Sequence, residues 1–438
     1  MKKGKPREIA ARVLLRNEES DDYLETCLAR ELPALAIEDR HLCQELVFGV
    51  TRFRGLLDWL IARKTGNRTQ RPALTILLRL GVYQLFWLDR VPDHAIVNES
   101  VEMARQFGFG PQSGFVNALL RGYAREREET RRLIDQLKAD KPDVGFSHPR
   151  WLCERWQKRW GGLGMRRLLE WNNTPARTFA RVNTLKTDAG KLLTQWREEG
   201  VQYDFIRHDW IEENLVFELK SHPPLPALPS FQQGRFYVQD PSTLLAVEWL
   251  DPQPGEQILD LCAAPGGKTS YIAQLMKNEG RLVASDQSPA RLRLLRQNVA
   301  RLGITCAQIQ PTDDASASQP NHADADRGLF DRVLVDAPCS NTGVMRRRIE
   351  LRWRIRLTEL RRLQTAQVKL LRRTIQRLKA GGILVYSTCS LEPEENSEAV
   401  KALLESAPEF ELERERQLTP IQNGVDGAYV AVVRRREV

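Results

Sequence analysis

From about Val238 onward the chain alternates short apolar runs with amphipathic stretches, and this alternation constrains the fold more than any other feature of its 438 residues. QILDLC, RLVASD, RVLVDAP and GILVYSTC read as strands, and PARLRLLRQNVARLG, between two of them, reads as a helix. Continuously apolar strands separated by helices make a mainly parallel, doubly wound sheet. Such a sheet places its ligand site at the carboxyl ends of its strands, and each chemically suggestive segment of this chain sits at such an end.

Upstream the texture differs. Between Arg7 and Arg125 the apolar residues recur at helical spacing, as in LCQELVFGVTRFRGLLDWLIAR and ALTILLRLGVYQLFWL. An all-α domain over residues 1–140 follows, closed by a charged run whose Lys141-Pro142-Asp143 end stops a helix. TFARVNTL and NLVFELK read as strands and DAGKLLTQWREEG as a helix, which predicts a small α+β module over residues 147–238. Residues 239–438 then form an α/β Rossmann-like domain. Within it TDDASASQPNHADADRG, small, polar and acidic, reads as a surface loop.

The most apolar stretch, Leu74 to Leu88, is interrupted by Arg79 and Gln84, and no apolar signal core follows the basic start of the chain. Seven cysteines are scattered singly with no C-x-x-C, which excludes a disulfide framework and a zinc module. The six histidines lack paired ligand spacing. We therefore expect a cytoplasmic protein without membrane segment or metal. A formal charge of +9 favours a polyanionic partner, nucleic acid first.

The strongest local signal is DLCAAPGGKTS, which follows a strand and precedes a helix. Small residues let a ligand approach the backbone, and the helix start offers unpaired N–H groups. Gly267-Lys268-Thr269 ends a phosphate-loop pattern, but Cys262 stands where its first glycine is required, so a nucleoside-triphosphatase loses its anchor. Asp286 closes the next strand, where a carboxylate can accept hydrogen bonds from ribose hydroxyls; together these suit an adenosine ligand. At two later strand ends stand VDAPCSNTG, with Asp336 and Cys339, and YSTCS, with Cys389. Sequential winding brings these ends together, and one thiol could attack while the other assists with protons. Residues 341–380 carry thirteen Lys or Arg against two acidic residues, a net of 13 − 2 = +11. Within them MRRRIELRWR, arginines with Trp353 interleaved, reads as a loop that neutralises phosphates and stacks on looped RNA.

DLCAAPGGKT, DAPCSNTGV, STCSLEPEEN, VQDPS and RVNTLK together resemble the bacterial 16S ribosomal RNA (cytosine-C5) methyltransferases of the Fmu/Sun (RsmB) type. DRHLCQELVFGV, LGVYQLFWLDRVPDHAIVNESVE and GFVNALLRG are similar to the RNA-binding antitermination factor NusB, which that family carries as its first domain. The resemblance implies S-adenosylmethionine on Cys262, Ala263, Ala264, Pro265, Gly266, Gly267 and Lys268. It implies Asp286 at the ribose, Asp313 or else Asp314 near the adenine, and Asp336 near the reacting groups. Cys389 would be the nucleophile and Cys339 the residue that helps release product. The implied substrate is 16S ribosomal RNA, free or partly assembled, acted on by a monomer. The chain departs from the family pattern at Thr312, at Arg348-Ile349-Glu350 and at the DGAY of residues 426–429. Three rival readings stand beside it. One is a non-catalytic RNA-binding or antitermination factor, one a C5 methyltransferase of another RNA, and one a DNA cytosine methyltransferase that would attack with Cys339.

Overall fold

The computed structural model describes residues 5–20, 22–312 and 329–437. The chain divides into two compact units, the first formed by Met1–Thr174 with Met345–Arg354, the second by Pro175–Val344 with Ile355–Val438.

The first unit is helical. Its central helix, Pro72–Trp87, starts on a proline that needs no N–H partner and is buried almost all round. That explains why it reads as apolar without amphipathic spacing. Its one buried cation, Arg79, is held by Asp58 and Glu18, each at 2.6 Å. Among the described residues no helix is long and apolar enough to cross a membrane. The helix Arg150–Asn173 also belongs to this unit.

Residues 345–354 return from the far side of the sequence to complete it. Arg352 is fully buried and donates to Asn172 O at 2.9 Å and Asn173 Oδ1 at 2.7 Å. Trp353 Nε1 donates to Thr51 O at 2.7 Å, and Glu350 accepts from Leu24 N at 2.6 Å. Arg346, also buried, stacks its guanidinium 3.9 Å from the Trp171 ring centre. This corrects the reading of MRRRIELRWR as an RNA-gripping loop for Arg346, Arg352 and Trp353, while Arg348 stays exposed. Arg346 and Arg352 are spent on packing, because long side chains with planar guanidinium heads can span a helical core and satisfy its carbonyls.

The second unit holds two sheets. The smaller contains β1 (Thr178–Val182), β2 (Gln202–Phe205), β3 (Val216–Ser221) and β4 (Phe236–Val238), all antiparallel in the order β2-β3-β1-β4. The larger contains β5 (Gln257–Leu261), β6 (Arg281–Asp286), β7 (Ala307–Pro311), β8 (Phe330–Asp336), β9 (Leu378–Thr388), β10 (Phe410–Leu418) and β11 (Ala428–Arg435). Its order is β10-β11-β9-β8-β5-β6-β7. The pairs among β5 to β9 are parallel, and β11 pairs antiparallel with β9 and β10. The four strands read from the sequence are β5, β6, β8 and β9. Both faces are covered: Ile258, Leu282 and Leu334 pack in one cluster, Leu259, Val283 and Val335 in the other. Winding runs outward from β5 to β7 and then crosses back to β8. The switch point between β5 and β8 is where such sheets open a crevice.

Candidate active site

Strand register decides which side chains meet. Leu261 pairs with Ser285 and with Val335, and Asp336 pairs with Ser387. Cys262, Asp286, Asp336 and the turn after Thr388 therefore fall in one row along the carboxyl edge of the sheet.

The loop after β5 turns sharply because Cys262 adopts φ 60° and Gly266 φ 106°. The left-handed φ of Gly266 favours glycine there, and a side chain would also have to displace the Leu295 Cδ1 methyl, 2.7 Å away. The helix Gly267–Leu275 then begins with its N–H groups toward the row. Burial pushes the Cys262 thiol up to about 12, which makes it an inert lining group. Asp286 accepts from Ala264 N at 3.3 Å and Ser288 N at 3.0 Å and pairs with Arg291 at 3.2 Å. Lys268 is held by Asp336 at 2.7 Å, and Ser387 Oγ donates to the other oxygen of Asp336 at 2.9 Å.

A cavity of about 350 Å³ opens beside this loop, lined by Leu261, Cys262, Asp286, Gln287, Thr312 and Pro338 among others. That is within the range of small-molecule sites. The buried hydroxyl of Thr312 on its wall has no partner among the described residues. Of the residues read as cofactor-binding, Cys262 and Asp286 line the cavity; Ala263 to Lys268 form the adjoining turn and helix start. Asp313 and Asp314 lie outside the described residues.

The two thiols come together. Cys389 Sγ lies 3.3 Å from Cys339 Sγ and 2.8 Å from Asn341 Oδ1. The Asn341 amide is oriented by its own Nδ2, which donates to Cys339 O at 2.7 Å, so its oxygen must face the Cys389 thiol. Cys339 is held well above the ordinary thiol range by its hydrogen bond with Cys389, then by burial and by nearby negative charge.

Five participants were not read from the sequence. Asn341 and Glu395 lie inside quoted motifs, but only strand register reveals what they touch. Gly343 and Gly427 cross so closely that a side chain on either would come within 2.7 Å of the other's backbone. Arg181, buried in RVNTLK, donates to Ser270 Oγ at 2.6 Å and to Gln239 Oε1 of VQDPS at 3.0 Å, and it also bonds Gln274. The smaller sheet thus braces the helix that carries the glycine loop.

A switch-point crevice with a glycine turn on one side and paired thiols on the other is built on a doubly wound α/β fold, and its relatives make that fold a methyltransferase's. Over 98% of both chains the fold matches the crystal structure of PH0851, with a TM-score of 0.77 at 24% identity. A methyltransferase homologue from Pyrococcus horikoshii is 31% identical over 69% of this chain and 99% of its own, with a TM-score of 0.57. Residues 247–434 match the family of 16S rRNA methyltransferase RsmB/F, residues 148–220 its ferredoxin-like domain and residues 4–125 the NusB family. The probable ribosomal RNA small subunit methyltransferase B of Bacillus subtilis is 32% identical over the full length of both chains. The ribosomal RNA small subunit methyltransferase B of Escherichia coli (strain SMS-3-5) is 36% identical over 93% of this chain and 91% of its own. The chain belongs to the RsmB/F family: it is an S-adenosylmethionine-dependent methyltransferase of small-subunit ribosomal RNA. The non-catalytic reading falls away.

Proposed function

We propose that the protein methylates carbon 5 of a cytosine in 16S ribosomal RNA through a covalent bond between Cys389 and carbon 6 of the base. The observation that carries this reading is the 3.3 Å approach of two thiols at neighbouring strand ends. Carbon 5 of cytosine is not nucleophilic, so the ring must first be activated by addition. The Cys389 sulfur bonds carbon 6 and the 5,6 double-bond electrons become available at carbon 5. S-adenosylmethionine, when bound, would supply the methyl: its sulfur–methyl bond breaks as carbon 5 takes the methyl, and the donor leaves as the neutral thioether. A base then takes the carbon-5 proton, the double bond reforms and the carbon–sulfur bond breaks, which restores Cys389. Asp336, fixed by Ser387 and Lys268, would lie toward the N3 edge of the base, where its carboxylate favours a proton on N3 and so offsets the negative charge that addition sends into the ring.

The division of labour between the thiols has a physical basis. At 3.3 Å each thiol restrains the proton of the other, so one can act as a thiolate only while its neighbour stays protonated. Once Cys389 is bonded to carbon, that restraint is gone and Cys339, or a water it orients, can accept the carbon-5 proton.

The 350 Å³ cavity would hold the methyl donor, and Asp286 on its wall would bind the ribose. RNA lies on exposed Arg361, Arg362, Lys369, Arg372 and Arg373 of the helix Leu357–Thr374, and the NusB-like helices add affinity. The target base must be unstacked to reach the thiols, which favours free or partly assembled RNA. The test uses methyl-labelled donor and small-subunit ribosomal RNA digested to nucleosides. Label in 5-methylcytidine is expected; label in any other nucleoside, or transfer to DNA alone, overturns the assignment.

A further inference from the structure

Glu395 takes no part in the steps above, yet it is fully buried beside them. It lies in the turn Pro393–Glu395 that leads into the helix Ser397–Leu404. A carboxylate withdrawn from water is costly unless several donors satisfy it, and the identity of those donors shows what it holds. Ser340 N donates to Oε1 at 2.8 Å, and Ser340 Oγ donates to Oε2. Ser390 Oγ donates to Oε2 at 2.5 Å. Gln367 Nε2 donates to Oε1 at 3.2 Å and to Pro338 O at 2.9 Å.

Every one of these contacts ends on a residue next to a cysteine or on a group that also holds one. Ser340 follows Cys339, Ser390 follows Cys389, and Pro338 precedes Cys339. The two serine hydroxyls are themselves 3.2 Å apart. A carboxylate that served the helix start alone would bond the backbone N–H groups of that helix; this one reaches across to two separate strand-end turns. Its own carbonyl accepts from Tyr386 Oη on β9 at 2.6 Å, so the clamp is anchored in the sheet.

We infer that Glu395 is a positioning residue that locks the Cys339 and Cys389 turns into one register, so that a single buried carboxylate sets the spacing of the two thiols. The inference rests on the proposed roles of those cysteines. A fixed spacing matters because the attacking sulfur and the proton acceptor must meet one base from defined directions, and small misplacements are expensive in rate.

The test measures steady-state methylation and the rate of covalent complex formation in the full-length protein, the latter in a Cys339→Ala background. Glu395→Gln preserves volume but replaces one accepting oxygen by a donor. It is expected to lower kcat roughly tenfold or more, to slow complex formation by a similar factor, and to leave donor affinity and the KM for RNA within about twofold. Glu395→Asp, which keeps the charge, should recover part of the rate. Ser390→Ala, which removes one arm and leaves the carboxylate in place, should give a smaller loss of the same kind, and it decides the matter if Glu395→Gln does not fold. Unchanged kcat in both variants overturns the clamp, and so does a loss expressed only in KM or donor affinity. Failure of Cys339→Ala alone to accumulate a covalent complex refutes the cysteine roles instead, before any Glu395 variant is read.

Discussion

At the scale of single residues, the site is organised by carboxylates whose surroundings differ. Asp260, near the end of β5, is fully buried with one oxygen bonded to Thr269 Oγ1 at 2.6 Å and the other without a partner among the described residues, and burial pushes it up to about 7. Its unfolded value lies near 3.9, so between about pH 4 and 7 the folded chain keeps a proton that the unfolded chain releases. Stability must therefore fall as pH rises through that window and level off above it. Asp260→Asn removes the dependence: urea denaturation should find the variant more stable than the parent at pH 8, by on the order of a few kcal/mol, and the gap should close toward pH 4. A gap that does not change with pH would show that Asp260 is already charged in the folded chain. Asp286 and Asp336 were legible in the sequence because each closes an apolar strand, and Cys339 and Cys389 because they stand in the turns that follow such strands. Asn341 and Glu395 were not, since their meaning lies in contacts made across 48 and 55 residues of chain.

At the scale of elements, the parallel strands announced themselves by unbroken apolar runs, whereas β10, FELERERQL, alternates charges and is exposed along most of its length. An edge strand of this kind carries no hydrophobic signature, and its charges guard an otherwise open edge. The crossing of Gly343 and Gly427 was equally hidden, because close backbone approach is a property of two distant segments. Gly343 N donates to Cys389 O at 3.0 Å, and Gly427 N donates to Gly343 O at 2.9 Å. In Gly343→Ala the new methyl would stand 2.7 Å from Gly427 Cα and 2.8 Å from Cys389 O. Such overpacking costs about 1–3 kcal/mol, and the relief must come from the turn that carries the thiol. Thermal unfolding should show the lower stability, and methylation should fall further than the loss of folded protein explains. Activity that merely tracks the folded fraction would mean that the crossing does not position Cys389.

At the scale of the whole molecule, the unexpected feature is the passage of residues 345–354 into the helical unit. Its arginines look from the sequence like nucleic-acid contacts, because charge pattern alone cannot distinguish a phosphate from a buried carbonyl as the acceptor. Arg352→Met deprives Asn172 O and Asn173 Oδ1 of their donor. Buried acceptors left unpaired cost about 1–3 kcal/mol. The helical unit should melt at lower denaturant, followed by far-ultraviolet circular dichroism, while calorimetry finds donor affinity unchanged. Reduced donor affinity with an unaltered helical transition would contradict this division of the chain.

Covalent catalysis by Cys389 is tested most directly by incubating labelled ribosomal RNA and methyl donor with each cysteine variant and resolving the products on a denaturing gel. Cys339→Ala should retain a shifted band of protein joined to methylated RNA, because addition and transfer proceed and release stalls. Cys389→Ala should give neither that band nor methylated RNA. A band with Cys389→Ala and none with Cys339→Ala would reverse the two roles, and full activity in both variants would contradict thiol catalysis altogether.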